Sequence, residues 1–221
     1  MAENQDELEK YGQPEQRRRE ESSPIQLLTI IGEVEGHECL AANSKTTKYE
    51  HVIPMLAAVE ENPQIQGLLV LINTVGGDVE SGLAIAEMIA SISKPSVSLG
   101  SGRQSFDWCS VGGVHGLLLY CTDRNDDDSS GPDEWSDHRV AQTFEYFQKI
   151  QDRIAGFITD HSRISKARLM QLMLETGELT KDVGSVLVGE QAVSEGLIDE
   201  LGGIHDAYDK LYKMLDLTET K

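Results

Sequence analysis

Apolar residues crowd the stretch from Ile25 to Val34, at Leu27, Leu28, Ile30 and Ile31, and predict a strand that turns at Gly32. The next apolar positions are Tyr49, Val52, Ile53, Leu56, Ala57 and Val59. They lie on one face of a helix, which Asn62-Pro63 stops. Gly67 to Ile72 is almost entirely apolar, the composition of a parallel strand buried on both faces. Ser81 to Ser91 returns to helical spacing, and Ser96 to Leu99 begins another strand. Strand, helix, strand, helix, strand predicts right-handed βαβ units. From Val140 the spacing is helical again, with Phe144, Phe147, Ile150, Ile154 and Phe157 on one face. Ser165 opens a further helix whose inner side carries Leu169, Leu172 and Met173, and Gly177 stops it. Val186 to Val188 reads as a short strand, and Gln191 to Glu195 as a short helix before Gly196-Leu197-Ile198-Asp199.

Residues 100–139 break this pattern. They hold Trp108 and Trp135, Cys109 and Cys121, and a polar run from Thr122 to Trp135 that includes Asp126, Asp127 and Asp128. Such a run cannot build a core strand.

The length of 221 residues suits one domain with tails. Residues 1–24 read as a disordered polar tail, 25–213 as the folded domain and 214–221 as a second tail. Nineteen basic residues against thirty-eight acidic ones give a net charge of −19. That charge argues against nucleic acid and against an anionic membrane surface, and fits a protein kept in solution by its charge. No apolar run approaches the roughly 20 residues of a membrane span, and residues 1–24 carry no apolar signal core. Arg17, Arg18 and Arg19 are flanked by Glu15, Glu20 and Glu21 and read as a solvated patch. Cys39, Cys109 and Cys121 have neither metal spacing nor a paired framework, so a reduced, cytoplasmic protein is expected.

The most informative chemistry lies at Gly76-Gly77, between the buried strand and the helix after it. Glycines can turn their N–H groups toward a single point, and a helix N-terminus beside them adds positive potential. Two such amides make an oxyanion hole for acyl transfer. A plain strand-to-helix turn needs the same glycines.

The run Ile72-Asn73-Thr74-Val75-Gly76-Gly77 resembles the Ile-Asn-Ser-Pro-Gly-Gly of the Clp peptidase family, with Thr and Val in place of Ser and Pro. As in that family, the helix that follows ends near a Lys-Pro pair, Lys94-Pro95. Gln191 to Asp199 is similar to the family's late Glu-Ala-Val-x-x-Gly-Leu-Val-Asp. The resemblance covers residues 25–99 and 140–210. It implies an α/β fold, the Clp/crotonase-type spiral of repeated ββα units. It also implies a serine endopeptidase with a Ser-His-Asp triad, an oxyanion hole at Gly76 and Gly77, and no metal or organic cofactor. The family further implies unfolded polypeptide substrates, a homo-oligomeric ring, an ATPase partner, and a link to protein translocation or quality control.

The family carries its nucleophile, in a Gly-x-x-x-Ser-x-Gly turn, and its histidine within the segment that matches residues 100–139. Phe106 stands at the position of the family Ser, and Ser129 at that of the His. Ser105, Ser110 and His115 read as ordinary loop residues. An ungapped alignment puts Gly184 at the Asp position; Asp182, two residues earlier, is the acid candidate, with a solvated surface Asp as the equal alternative.

The genetic code offers an account. Bases two and three of each codon can be joined to base one of the next. Trp108 followed by Cys109 must then give Gly, and Phe106 followed by Asp107 can give Ser. Across Arg103 to Trp108 the shifted frame permits Gly-Asn-His-Ser-Ile-Gly, and across Asp128 to Ser130 it permits Ile-His-Pro. Residues 100–139 therefore read as an out-of-frame segment between one inserted and one deleted base. Two rival expectations remain: a non-catalytic ring or scaffold subunit, and a crotonase-type acyl-CoA enzyme.

Overall fold

The computed structural model describes residues 23–36, 44–100, 108–111, 137–174, 187 and 189–217. Phe106, Ser129 and Asp182, residues 1–22 and 218–221, and all but Leu187 of the expected strand at 186–188 lie outside the described residues.

Five strands form one sheet in the order β2-β1-β3-β4-β5. They are β1 (Ile25–Glu35), β2 (Thr46–Lys48), β3 (Gly67–Gly77), β4 (Ser96–Gly100) and β5 (Trp108–Val111). The described helices are α1 (Tyr49–Glu61), α2 (Val79–Ser91), α3 (Asp137–Asp160), α4 (Lys166–Met173), α5 (Gly189–Ser194) and α6 (Ile204–Met214). β1 runs parallel to β2 and β3, and β3 parallel to β4. The α2 crossover joins the adjacent parallel strands β3 and β4, as the alternation of periods predicts, while α1 leads from β2 to β3 across β1. β5 pairs antiparallel with β4, with Ser98 opposite Ser110 and Gly100 opposite Trp108. Ser110 is therefore a strand residue, not the loop residue expected of it, and the irregular segment does supply one short edge strand.

Strand alternation sorts the core into two halves. Leu28, Ile30, Leu68, Val70 and Ile72 face one way, against α1 through Leu56, α2 through Leu83 and Ile85, α3 through Ile154 and Ile158, and α4 through Leu169. Ile25, Leu69, Val97 and Leu99 face the other way, against Ala207 and Leu211 of α6. Helix α6 was not expected from the sequence. Its apolar residues Ala207, Tyr208, Leu211 and Tyr212 recur at helical spacing and form the lid of that second half. Leu211 is fully buried there. Leu211→Ala should cost about 2–5 kcal/mol, the usual range for a buried Leu. A denaturation midpoint that falls with an unchanged m-value would show it.

Several boundaries differ from expectation. β1 does not turn at Gly32. It passes through a bulge between Gly32 and Val34 and ends at Glu35. Gly32 has φ +81°, and a Cβ there would lie 2.1 Å from the Lys45 carbonyl oxygen, so the approach of β2 requires glycine. α3 begins at Asp137, before Val140. α4 ends at Met173, with Leu174 as its C-cap, and does not extend to Gly177.

Candidate functional site

The site is built where β3 meets α2. β3 does not break at the glycines. Gly76 and Gly77 belong to the strand, with φ of +107° and +142°. The register with β1 continues to Val34 opposite Gly77, and the Asp78 amide donates to the Val34 carbonyl over 2.9 Å. Asp78 then caps α2, its Oδ1 accepting from the Ser81 amide at 2.8 Å. α2 starts at Val79, two residues earlier than the spacing of apolar residues suggests, because the cap and not the first periodic residue sets the start.

A Cβ on Gly77 would lie 2.3 Å from the Val34 oxygen and 2.6 Å from the Val34 nitrogen. No side chain fits between β3 and β1 there, so the glycine follows from close approach as well as from φ. The Val34 carbonyl is taken by Asp78, and backbone groups of successive strand residues point to opposite edges. That alternation aims the Gly77 amide away from β1, toward the β4 side. β4 pairs with β3 only from Leu68 to Ile72, so the β3 edge from Asn73 to Gly77 is not covered by β4. The Gly76 amide is in a different position: it donates to Thr74 Oγ1 at 3.1 Å. Of the two amides expected to form an oxyanion hole, Gly77's is the one aimed at the edge beyond the β4 pairing, beside the N-terminus of α2. On the opposite side of β1, Glu35, only 5 % exposed, pairs with Lys48 of β2 across 3.4 Å. Among the described residues no group of three or more His, Cys, Asp or Glu could hold a metal ion, and no helix is long and apolar enough to cross a membrane.

Gly76 and Gly77 stand at the end of β3, while the positions assigned to nucleophile, base and acid, Phe106, Ser129 and Asp182, lie outside the described residues. Thr74 and Asp78 were missed. Their signals were present: a hydroxyl two residues before a glycine, and Asp directly before a helix with Ser three residues on.

The profile of the family described as Clp protease matches residues 27–110. The chain is also 43 % identical over 206 residues to the translocation-enhancing protein TepA of Halalkalibacterium halodurans, an alignment spanning 89 % of this chain and 77 % of that protein. The chain belongs to the Clp protease family. Its sheet, with parallel ββα units and the Gly-Gly strand end, is the Clp/crotonase-type fold, and its role is that of a Clp-like peptidase. The family profile ends at residue 110, inside the irregular segment.

The late Clp-like motif supports the helical layer. Gly196, at φ +77°, accepts from the Arg163 amide at 2.9 Å, and the Arg163 guanidinium donates to the Ile198 carbonyl at 3.1 Å. Arg168 Nε donates to Glu195 Oε2 at 2.8 Å, tying α4 to the turn after α5. This hydrogen bonding holds the Glu195 carboxyl below its ordinary value of 4.5, against a smaller opposing effect of burial. A carboxylate depressed in the folded state adds stability above its unfolded pKa and loses that contribution as pH falls through the folded one. Arg168→Met should therefore be less stable than the parent at neutral pH, and the gap should narrow under acid. Denaturation midpoints across a pH series will check this; a gap that stays constant with pH would assign the loss to packing.

Proposed function

We propose that this protein is built for serine-type hydrolysis of peptide bonds in unfolded polypeptide, as a cytoplasmic Clp-like endopeptidase, and that the chain as written does not turn over. The observation that carries the reading is the Gly77 amide, aimed at the edge of β3 that lies beyond its pairing with β4, at a helix N-terminus in a Clp-type sheet. An extended substrate would add as a strand at this edge. With the triad present, a Ser would attack the carbonyl, a His would take the proton and pass it to the leaving amine, and an Asp would orient the His. The Gly77 amide would then receive the developing oxyanion. The positions for Ser and His hold Phe106 and Ser129, which cannot play these parts. An out-of-frame segment at residues 100–139 accounts for both. A homo-oligomeric ring and an ATPase partner follow from the family reading, and a link to translocation from the name of the relative in Halalkalibacterium halodurans.

The same two residues favour a second reading, a non-catalytic ring or scaffold subunit. Labelling with a fluorophosphonate serine probe separates the two once the frame is restored. The unaltered chain should stay unlabelled, whereas stoichiometric labelling of any of its serines would overturn the assignment of residue positions.

A further inference from the structure

The segment Ile25-Gln26-Leu27-Leu28-Thr29-Ile30-Ile31 of β1 carries no charge, no proline and no glycine, and five of its seven residues are Ile or Leu. Runs of this kind pair edge to edge with copies of themselves. On one side the segment is paired with β3 along its whole length. On the other side, among the described residues, β2 reaches only from Glu33 to Glu35. Even-numbered residues turn their backbone groups toward β3, as the Pro24 carbonyl does in accepting from the Gly67 amide. Odd-numbered residues therefore turn theirs outward, as the Glu33 amide does in donating to the Lys45 carbonyl at 2.9 Å.

Side chains meet several of these outward groups. Thr47 Oγ1 accepts from the Ile31 amide and donates to the Ile31 carbonyl, each over 2.9 Å. Gln26 Nε2 donates to the Leu27 carbonyl at 3.0 Å, and Ser23 Oγ accepts from the Ile25 amide at 3.2 Å. Thr47 contributes most, since its one hydroxyl takes the place of a neighbouring strand at both groups of Ile31. The Ile31 side chain is 45 % exposed, so an apolar foothold stands at the same point.

Two copies of the chain related by a two-fold axis would set these edges antiparallel, the self-complementary arrangement. With outward residues opposite one another, Ile31 would meet Ile25 of the second copy and Thr29 would meet Leu27, and both β2 strands would stay clear. Each end of that ladder needs the Ile31 groups that Thr47 holds. We propose that Thr47 is an edge guard: its hydroxyl occupies both outward backbone groups of Ile31 and so denies the segment from Ile25 to Ile31 to the same segment of a second copy. This guard is independent of the peptide-site reading above.

Thr47→Val in the full chain keeps the shape and removes the hydroxyl. In dilute solution the Ile31 amide of this variant should exchange with solvent about tenfold faster than in the parent, the protection of about one hydrogen bond. On concentration, its mass by sedimentation should double relative to the parent assembly, and the Ile31 amide should become slow again. Thr47→Ser should keep the parent's mass and exchange. Adding Ile31→Lys to Thr47→Val should abolish the doubling, because a charge on an edge strand opposes pairing. Leu211→Ala, which loosens the fold but leaves the guard in place, should keep the parent's mass. A Thr47→Val protein that holds the parent's mass at every concentration would overturn the proposal, as would doubling by Thr47→Ser or by the double variant. Doubling by Leu211→Ala would assign the association to loosened packing and overturn it too.

Discussion

A gene whose reading frame is restored across residues 100–139 should yield a protein that reacts with a fluorophosphonate probe and cleaves short unstructured peptides, while the chain as written should do neither. Loss of a triad nucleophile costs about 10⁶ in kcat, because the remaining groups act only through it. The chain as written lacks the expected base as well. A second loss adds little once the first has broken the unit, so the difference between the two proteins should stay near this value. Resequencing of the DNA should find two compensating single-base shifts, one near codon 100 and one near codon 139. A restored protein that folds and assembles, yet neither labels nor cleaves, would favour the scaffold reading. Thioester hydrolysis or acyl-CoA binding by the same preparation would favour the crotonase reading.

The sheet was legible because its residues obey two simple periods. β1 and β3 are apolar on both faces because helices cover both, and α1 and α2 show one apolar face each. What escaped is instructive. Glycine reads as a breaker, so β1 was ended at Gly32 and β3 before Gly76, yet both strands continue past those points. Parallel pairing gave Gly32 and Gly77 a different task, to let β2 and β1 come close where a Cβ could not fit. α6 escaped because Asp206, Asp209 and Lys210 interrupt its apolar residues; only the packing of Ala207 and Leu211 on Leu69, Val97 and Leu99 shows which face is which. The start of α2 lay in the polar cap Asp78, not in the apolar spacing. The proposed oxyanion donor was half legible. Composition marks two equivalent glycines, and only the hydrogen bond to Thr74 separates them. The positions for nucleophile and base were legible by no physical pattern at all. They came from the family's pattern and from codon arithmetic, since the proposed frame shift would replace the side chains while preserving length.

Gly77→Ala should injure both the fold and the chemistry, and the two effects can be separated. At φ +142° an L-residue is strained, which alone costs about 1–3 kcal/mol. The added Cβ would also meet Val34 backbone atoms at 2.3 and 2.6 Å, so the end of β3 must move away from β1 or the two strands must part. In the chain as written, this should appear as a lowered denaturation midpoint and faster exchange of the Asp78 amide, whose bond to Val34 spans the same gap. In the frame-restored protein, displacement of the Gly77 amide should lower kcat by about 10²–10³, the usual effect of losing one oxyanion donor. Peptide binding should weaken far less, since the amide meets its full charge only in the tetrahedral intermediate. Ile30→Val provides the control: it lowers stability by about 0.5–1.5 kcal/mol from a buried position on β1 that faces the helical layer. If Ile30→Val at matched loss of stability reduced kcat as much as Gly77→Ala, the Gly77 effect would be a consequence of loosened packing. If Gly77→Ala lowered kcat and binding equally, the amide would be a ground-state contact and not an oxyanion donor.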